Sequence, residues 1–167
     1  MIIRSAVPAD SGAILKVTRE AFTLYHDELH ADYVVGGLVE TEEDILSDIK
    51  NHHVYVAEVD GKIVGSIRFT ELTPDLAYIY RFGVSPEINN TGIGSHLLSA
   101  VIEECRKEHF KAIALHTNAR YYKLARYYYG KHFYVHSTTT DKGYIRALFV
   151  LELSGDTDYD ISPAFAK

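Results

Sequence analysis

Two glycines, Gly92 and Gly94, stand between a run of apolar and aromatic residues and a run with helical spacing. The first run, Leu76 to Val84, reads as a buried strand. Ser85-Pro86 stops it, because proline cannot continue a sheet ladder. In the second run Ile93, Leu97, Val101 and Cys105 recur every four residues, with Leu98 and Ile102 beside them, so one helix face is apolar. Strand, small-residue loop and helix start collect free backbone N–H groups at one point. Gly92 and Gly94 permit close approach of a ligand to the backbone, and the helix N-terminus adds about half a positive charge. That is chemistry for an anion, most naturally a phosphate. A tight strand-to-helix connection without a ligand would carry the same glycine pair. The motif is not a P-loop, since Ser95-His96 follows Gly94. It is not a dinucleotide fingerprint either, since position 97 is Leu.

Other reactive side chains lie in three places. Tyr121 to Tyr129 holds five tyrosines within a segment, Asn118 to Gly130, that reads as a helix. Tyr121, Leu124 and Tyr128 share helical spacing, so packing alone could explain Tyr128. His116 ends a buried strand, Lys111 to Thr117, and is either a base near neutrality or a satisfied core histidine. Between Leu24 and Glu40 the residues Tyr25, His26, Asp27, Glu28, His30, Asp32 and Tyr33 crowd together ahead of Gly36-Gly37. His26 and His30 have the i, i+4 spacing of a helical metal pair. No third ligand stands at a diagnostic spacing, and no metal site is expected.

The elements that would position these groups follow in order. Met1 to Ser5 reads as a first strand. Asp10 or Ser11 can cap a helix, and Ile14, Leu15, Val17, Thr18, Ala21 and Phe22 give it a buried stripe. Thr41 caps a second helix running to Lys50, with acids in its first turn to match the dipole. Val54 to Val59 and Lys62 to Thr70 pair across Asp60-Gly61, a two-residue hairpin signal. Glu71 to Asp75 forms a longer turn around Pro74. The strand Leu76 to Val84 and a helix from Gly92 to His109 come next. After the helix Asn118 to Gly130, His132 to Ser137 and Gly143 to Leu153 form a final antiparallel pair. Gly155 to Lys167 reads as a polar, frayed tail. A helix crossover returns the chain in the same direction, so the strands flanking the third helix are parallel.

The run FGVSPEINNTGIGSHLL, residues 82 to 98, resembles motif A of the GNAT superfamily of acyl-CoA N-acyltransferases. Val84, Pro86, Gly92 and Gly94 stand where that family has them. Asn89 stands where the family usually has Gln or Arg, which removes a long donor and leaves the main-chain amides from Asn90 to Ser95. The opening I-I-R-x-A-x-P-x-D is also similar to the usual start of the family. The resemblance implies an α/β (α+β) GNAT fold: a mixed central sheet of about seven strands flanked by about four helices. It covers residues 1–153 as a single domain, with 154–167 as the C-terminal tail. Acetyl-CoA is the implied cofactor, held by Asn89, Asn90, Thr91, Gly92, Ile93, Gly94 and Ser95 at the pyrophosphate. In the family the strands flanking the third helix splay apart. Phe82 and Val84 would then pair with the pantetheine arm.

The late motif Asn-x(several)-Ala-x-Phe-Tyr-x-x-x-Gly-Phe is matched by Asn118, Ala125, Tyr127, Tyr128 and Phe133, with His132 in place of the glycine. By that resemblance Tyr128 is the acid for the departing thiolate, and Asn118 contacts the pantetheine or fixes a water. Tyr25, Glu28, Tyr33 and Tyr80 are the implied acceptor-side residues. Tyr80 also stands where family members often carry a basic glutamate, and a neutral tyrosine is a poor base for an ammonium. Water relayed through Glu71 and His116 are the alternatives, and no single base is assigned.

The implied activity is N-acetyl transfer to a primary amine of a small molecule, peptide or protein. The alternative is a non-catalytic acyl-CoA-binding regulator of the same fold, in which a thiolate acid would serve no purpose. The chain has 167 residues, enough for a full core. Its net charge of −6 argues against nucleic acid as the main partner and suits a cationic acceptor. The lone Cys105 excludes an internal disulfide and falls on a core face. No apolar run spans a membrane, and the N-terminus lacks a signal-peptide layout, so cytoplasm is the expected compartment. Homodimers are common in the family, and no interface is legible here.

Overall fold

The computed structural model describes residues 1–88 and 91–167. Seven strands form one mixed sheet in the order β1-β2-β3-β4-β5-β7-β6. They are β1 Ile2–Ser5, β2 His53–Val59, β3 Lys62–Thr73, β4 Leu76–Val84, β5 Ala112–Asn118, β6 Tyr134–Thr139 and β7 Arg146–Glu152. The principal helices are α1 Ser11–Leu29, α3 Glu42–Asn51, α4 Ile93–Lys107 and α5 Tyr122–Gly130, with single turns α2 Gly36–Val39 and α6 Ser162–Phe165. Among the described residues no helix is long and apolar enough to cross a membrane. The chain folds as two compact units, Met1–Phe69 with Arg81–Glu103, and Thr70–Tyr80 with Glu104–Lys167.

In the first unit β1 and β3 pair antiparallel with β2. Asp60 and Gly61 both take positive φ, 50° and 76°, the two-residue hairpin turn that matches strand twist. Ile14 of α1 and Ile45 of α3 pack on Val54 and Val56 of β2 as one apolar cluster. Thr41 begins α3 as expected, its hydroxyl taking the Asp44 N–H while the Asp44 carboxylate takes the Thr41 N–H. Asp10 does not cap α1 with its side chain. Its carboxylate instead accepts from the Val7 N–H at 2.8 Å and from Arg4 at 2.7 Å, tying the first strand to the turn before the helix. Gly83 of β4 lies so close to α1 that a Cβ there would stand 2.8 Å from that of Ala21.

In the second unit β5, β7 and β6 pair antiparallel, and β4 joins β5 in parallel from Leu76–Ala112 to Tyr78–Ala114. One face of these strands presents Leu76, Tyr78, Ala112, Ala114, Leu148 and Val150. The C-terminal segment covers it. Ala164 has no exposed surface, Tyr159 and Ile161 pack beside it, and Arg146 donates to the Lys167 carbonyl at 2.9 Å. The expected frayed tail is therefore a docked segment: its few apolar residues, spaced over one turn, find an apolar sheet face. β3 also runs on to Thr73, which shortens the expected turn to Pro74-Asp75.

Three helices end alike. His30, His109 and His132 take φ of 48°, 64° and 68° just past α1, α4 and α5. In each case the next amide bonds a carbonyl five residues back: Ala31 to His26, Phe110 to Cys105, Phe133 to Tyr128. Glycine usually fills this left-handed position, and an L-residue there costs about 1 kcal/mol.

Candidate active site

The strand–loop–helix segment of the first unit has the backbone an anion site requires. Gly92 takes φ 83°, a conformation that glycine alone adopts without strain. It leads into α4, whose first turn, Ile93, Gly94 and Ser95, directs its backbone amides toward the loop as the first turn of a helix does. His96 fastens the turn, its N–H and its ring Nδ1–H both donating to the Gly92 carbonyl at 3.1 and 2.8 Å. Gly94 faces β4: a Cβ there would rest 3.5 Å from the Phe82 ring and 3.6 Å from Val84. The Ile93 side chain is buried, so only its backbone is available to a ligand. Thr91 is exposed and donates its hydroxyl to the Ile88 carbonyl at 2.7 Å. Asn89 and Asn90 lie outside the described residues.

β4 carries a feature that residue types alone do not announce. Arg81 takes φ 50° in mid-strand, which breaks the pleat. Its Nε donates to Glu40 at 3.1 Å, and its guanidinium lies where a side chain at position 36 would collide, 2.8 Å from a Cβ built on Gly36. Glu40 is itself fixed by Arg68, which reaches both carboxylate oxygens at 2.6 and 2.9 Å and also bonds Asp48 at 2.9 Å. Arg68 has no exposed surface. Burial alone would lower its pKa, but the Glu40 and Asp48 carboxylates more than offset this and raise it. Two cations and two anions thus set the shape of the segment leading to Phe82.

The second unit holds the candidate proton-transfer groups. Tyr128 on α5 is 5% exposed and packs edge-on against Tyr127 and Phe133, with Phe149 at a ring distance of 5.5 Å. Burial pushes its phenol well above the ordinary range, with smaller contributions from Tyr127 and Tyr78. Asn118 ends β5 rather than capping α5. Its carboxamide oxygen accepts the Arg120 N–H at 2.8 Å, and the helix starts only at Tyr122. His116 Nδ1 lies 2.8 Å from the Tyr78 hydroxyl. Burial first, then the positive charge of Arg146, brings the imidazole down to about 4, so it is neutral at physiological pH.

A model of the acetyltransferase (GNAT) family matches residues 20–133. The chain belongs to that family. It is 32% identical over 123 residues to the S-alkylcysteine N-acetyltransferase of Bacillus subtilis (strain 168), a match covering 68% of this chain and 66% of that enzyme, just under two thirds of its length. Among solved structures it is similar to the PaiA N-acetyltransferase of Thermoplasma acidophilum in complex with coenzyme A. The TM-score is 0.78 at 18% identity, covering 90% of this chain and 98% of the other. It is likewise similar to the ribosomal-protein-S18-alanine N-acetyltransferase of Escherichia coli, with TM-score 0.73 at 19% identity, covering 95% and 99%. At those identities the likeness is one of fold.

The GNAT frame sorts the remaining residues. Phe82 and Val84 lie half-buried in the first unit with the Gly92–Ser95 loop. Tyr25 and Glu28 lie in the last turns of α1, which runs on to Leu29, and Tyr33 follows in the loop. Tyr25 meets Phe22 edge-on at 6.1 Å, and Glu28 is exposed. Tyr80 packs against the apolar cluster of the second unit. The His26/His30 pair is not a ligand pair on one helix face. His30 has left the helix with φ 48°, and His26 Nδ1 pairs with Asp27 at 3.1 Å. Sequence reasoning missed the Arg68–Glu40–Arg81 cluster. The one available signal was an arginine amid the alternating apolar residues of Lys62 to Thr70.

Proposed function

We propose that this GNAT protein is an acetyl-CoA-dependent N-acetyltransferase acting on a primary amine. The observation that carries the reading is the pairing of family membership with the glycine-lined start of α4, Gly92–Ser95, beside Phe82 and Val84. The segment fits a pyrophosphate: small residues at Gly92 and Gly94 admit it, and the α4 amides offer donors and partial positive charge. Phe82 and Val84 offer main-chain groups to the pantetheine arm. Bound acetyl-CoA would supply a thioester activated toward an amine. As the acceptor nitrogen bonds the acetyl carbon and the C–S bond breaks, the Tyr128 hydroxyl donates a hydrogen bond to the departing sulfur, and the surplus proton on nitrogen leaves to solvent. A phenol kept neutral by burial always carries its proton, which suits a hydrogen-bond donor to a developing thiolate. Asn118 orients the chain entering α5. Tyr25, Glu28, Tyr33 and Tyr80 are proposed acceptor-side residues. The Bacillus subtilis relative's name makes S-alkylcysteines the first acceptors to try.

The test is calorimetric titration with acetyl-CoA, with desulfo-CoA and adenosine as controls. Micromolar binding that requires the pyrophosphate supports the reading; no binding at millimolar concentration ends it. Thiol release with S-alkylcysteines then separates an enzyme from a non-catalytic binder.

A further inference from the structure

Two arginines share Glu40, and they are not equally served. Arg68 has no exposed surface and holds both Glu40 carboxylate oxygens, at 2.6 and 2.9 Å, together with an oxygen of Asp48 at 2.9 Å. Arg81 reaches Glu40 Oε1 through Nε alone, at 3.1 Å. Its side chain is 31% exposed, and Nη1 and Nη2 donate to no group among the described residues. Asp44 lies within electrostatic reach of both arginines, but its bonded carboxylate oxygen is taken by the Thr41 N–H and hydroxyl at the start of α3. Arg81 is thus a guanidinium anchored at one corner, with its two-pronged end unpaired.

A glycine pair keeps that end clear. A Cβ on Gly36 would stand 2.8 Å from Nη2 and 3.1 Å from Nη1, and one on Gly37 would stand 2.5 Å from the Phe22 ring. The single turn α2 therefore lies against Phe22 of α1 and against the Arg81 fork with no side chain of Gly36 or Gly37 between them. Tyr33 precedes Gly36 in the same loop, and Phe82 follows Arg81 directly. The fork belongs to the same unit as Tyr25, Glu28 and Tyr33, proposed above on the acceptor side, and as the main-chain groups offered to the pantetheine arm.

We propose that Arg81 holds a carboxylate of the acceptor and that the acceptor is a free α-amino acid, which narrows the acetyl-transfer reading and rests on it. A planar carboxylate matches Nη1 and Nη2 in two parallel charge-assisted bonds, and the Nε bond to Glu40 fixes the plane in which they point. Arg68 draws three of the four bonds that Glu40 and Asp48 give to the two arginines. The charge on Arg81 is the less compensated of the two, and a further anion is attracted there. In an α-amino acid the amine stands on the carbon that bears the carboxylate. Holding the one at Arg81 brings the other to the strand whose next residue, Phe82, is proposed to meet the coenzyme. A lysine side chain in a protein has no carboxylate at that place, and a peptide N-terminus has an amide instead, so both are poor acceptors.

The probes are S-methyl-L-cysteine, from the acceptor class named above, and 2-(methylthio)ethylamine, the same molecule without its carboxylate. Thiol release from acetyl-CoA by the wild-type chain should show kcat/KM about a hundredfold higher for the amino acid. In Arg81→Gln that ratio should fall below about fivefold, through KM for the amino acid. Arg81→Lys keeps the charge but loses the fork, and should restore only part of the ratio. Gly36→Ala removes no charge and displaces only the far end of a flexible side chain. It should raise KM for the amino acid about tenfold and change acetyl-CoA affinity less than about twofold. Equal use of the two probes by the wild-type chain overturns this inference alone, as does no turnover of S-methyl-L-cysteine by a chain that binds acetyl-CoA. An undiminished ratio in Arg81→Gln also overturns it, and would leave Arg81 as a support for Glu40. Failure of the wild-type chain to bind acetyl-CoA overturns the reading beneath it.

Discussion

Arg68, in the first unit, keeps its charge with no exposed surface because Glu40 and Asp48 reach it directly. Tyr128 and Cys105, buried in the second, and the half-buried His116 sit where each is pushed toward its neutral form. A buried charge persists only where partners are built around it; elsewhere the protein changes the protonation state instead. The first unit is thus organised by fixed charges and backbone dipoles, which suits an anionic coenzyme. The second buries one guanidinium, Arg146, against Asp141 and the Lys167 carbonyl, and otherwise holds neutral, proton-bearing groups, which suits proton transfer.

The contrast can be broken by removing its partners. Glu40→Ala leaves Arg68 buried with one carboxylate fewer and should cost about 3–5 kcal/mol, read from urea unfolding. A loss below about 1 kcal/mol would mean that water replaces Glu40 and that the first unit is not held by charge. Gly94→Glu should weaken acetyl-CoA binding at least about a hundredfold, about 2.7 kcal/mol, by placing a carboxylate among the α4 amides. Gly94→Ala is the control, since a Cβ there makes only ordinary contacts. Tyr128→Phe should lower kcat at least about tenfold while changing acetyl-CoA affinity little. Equal losses in both would make Tyr128 a packing residue.

Acid should separate the units further. The folded pKa of His116, about 4, lies below the ordinary value of 6.5, so between them the unfolded chain binds the proton more readily. Stability from this group is complete above pH 6.5 and declines as the pH falls toward 4. His116→Asn should flatten that part of the stability profile, and an unchanged slope would show the imidazole is protonated in place. The smallest effect is expected at a helix end. His132→Gly relieves a left-handed L-residue and should raise stability by about 0.5–1 kcal/mol; a decrease would assign the His132 ring a contact that matters more than its backbone.

Much of this was legible in the chain. Leu76–Val84 could be bounded to the residue, because an apolar run ends in Ser85-Pro86. Thr41 and Asp60-Gly61 act locally, so a few side chains determine the backbone. The unread features depend on distant partners. Nothing in the type of Arg81 signals φ 50°, and its side-chain partner, Glu40, is 41 positions away. The segment 154–167 reads as polar because its apolar residues are sparse, and only the apolar face of β5 and β7 makes them a docking element. The departure at His132 was visible, but not its outcome: the histidine adopts the conformation for which the family uses glycine.

Cys105 carries a last consequence. It is the chain's one thiol, fully buried on α4, with its pKa pushed up to about 12 chiefly by burial. A thiol-reactive dye therefore meets almost no thiolate on the folded chain. In a transfer assay the colour it develops belongs to released coenzyme A alone. Left for hours without substrate, the same dye marks only molecules in which the end of α4 has opened. A single reagent can then count both turnovers and openings, without any residue being replaced.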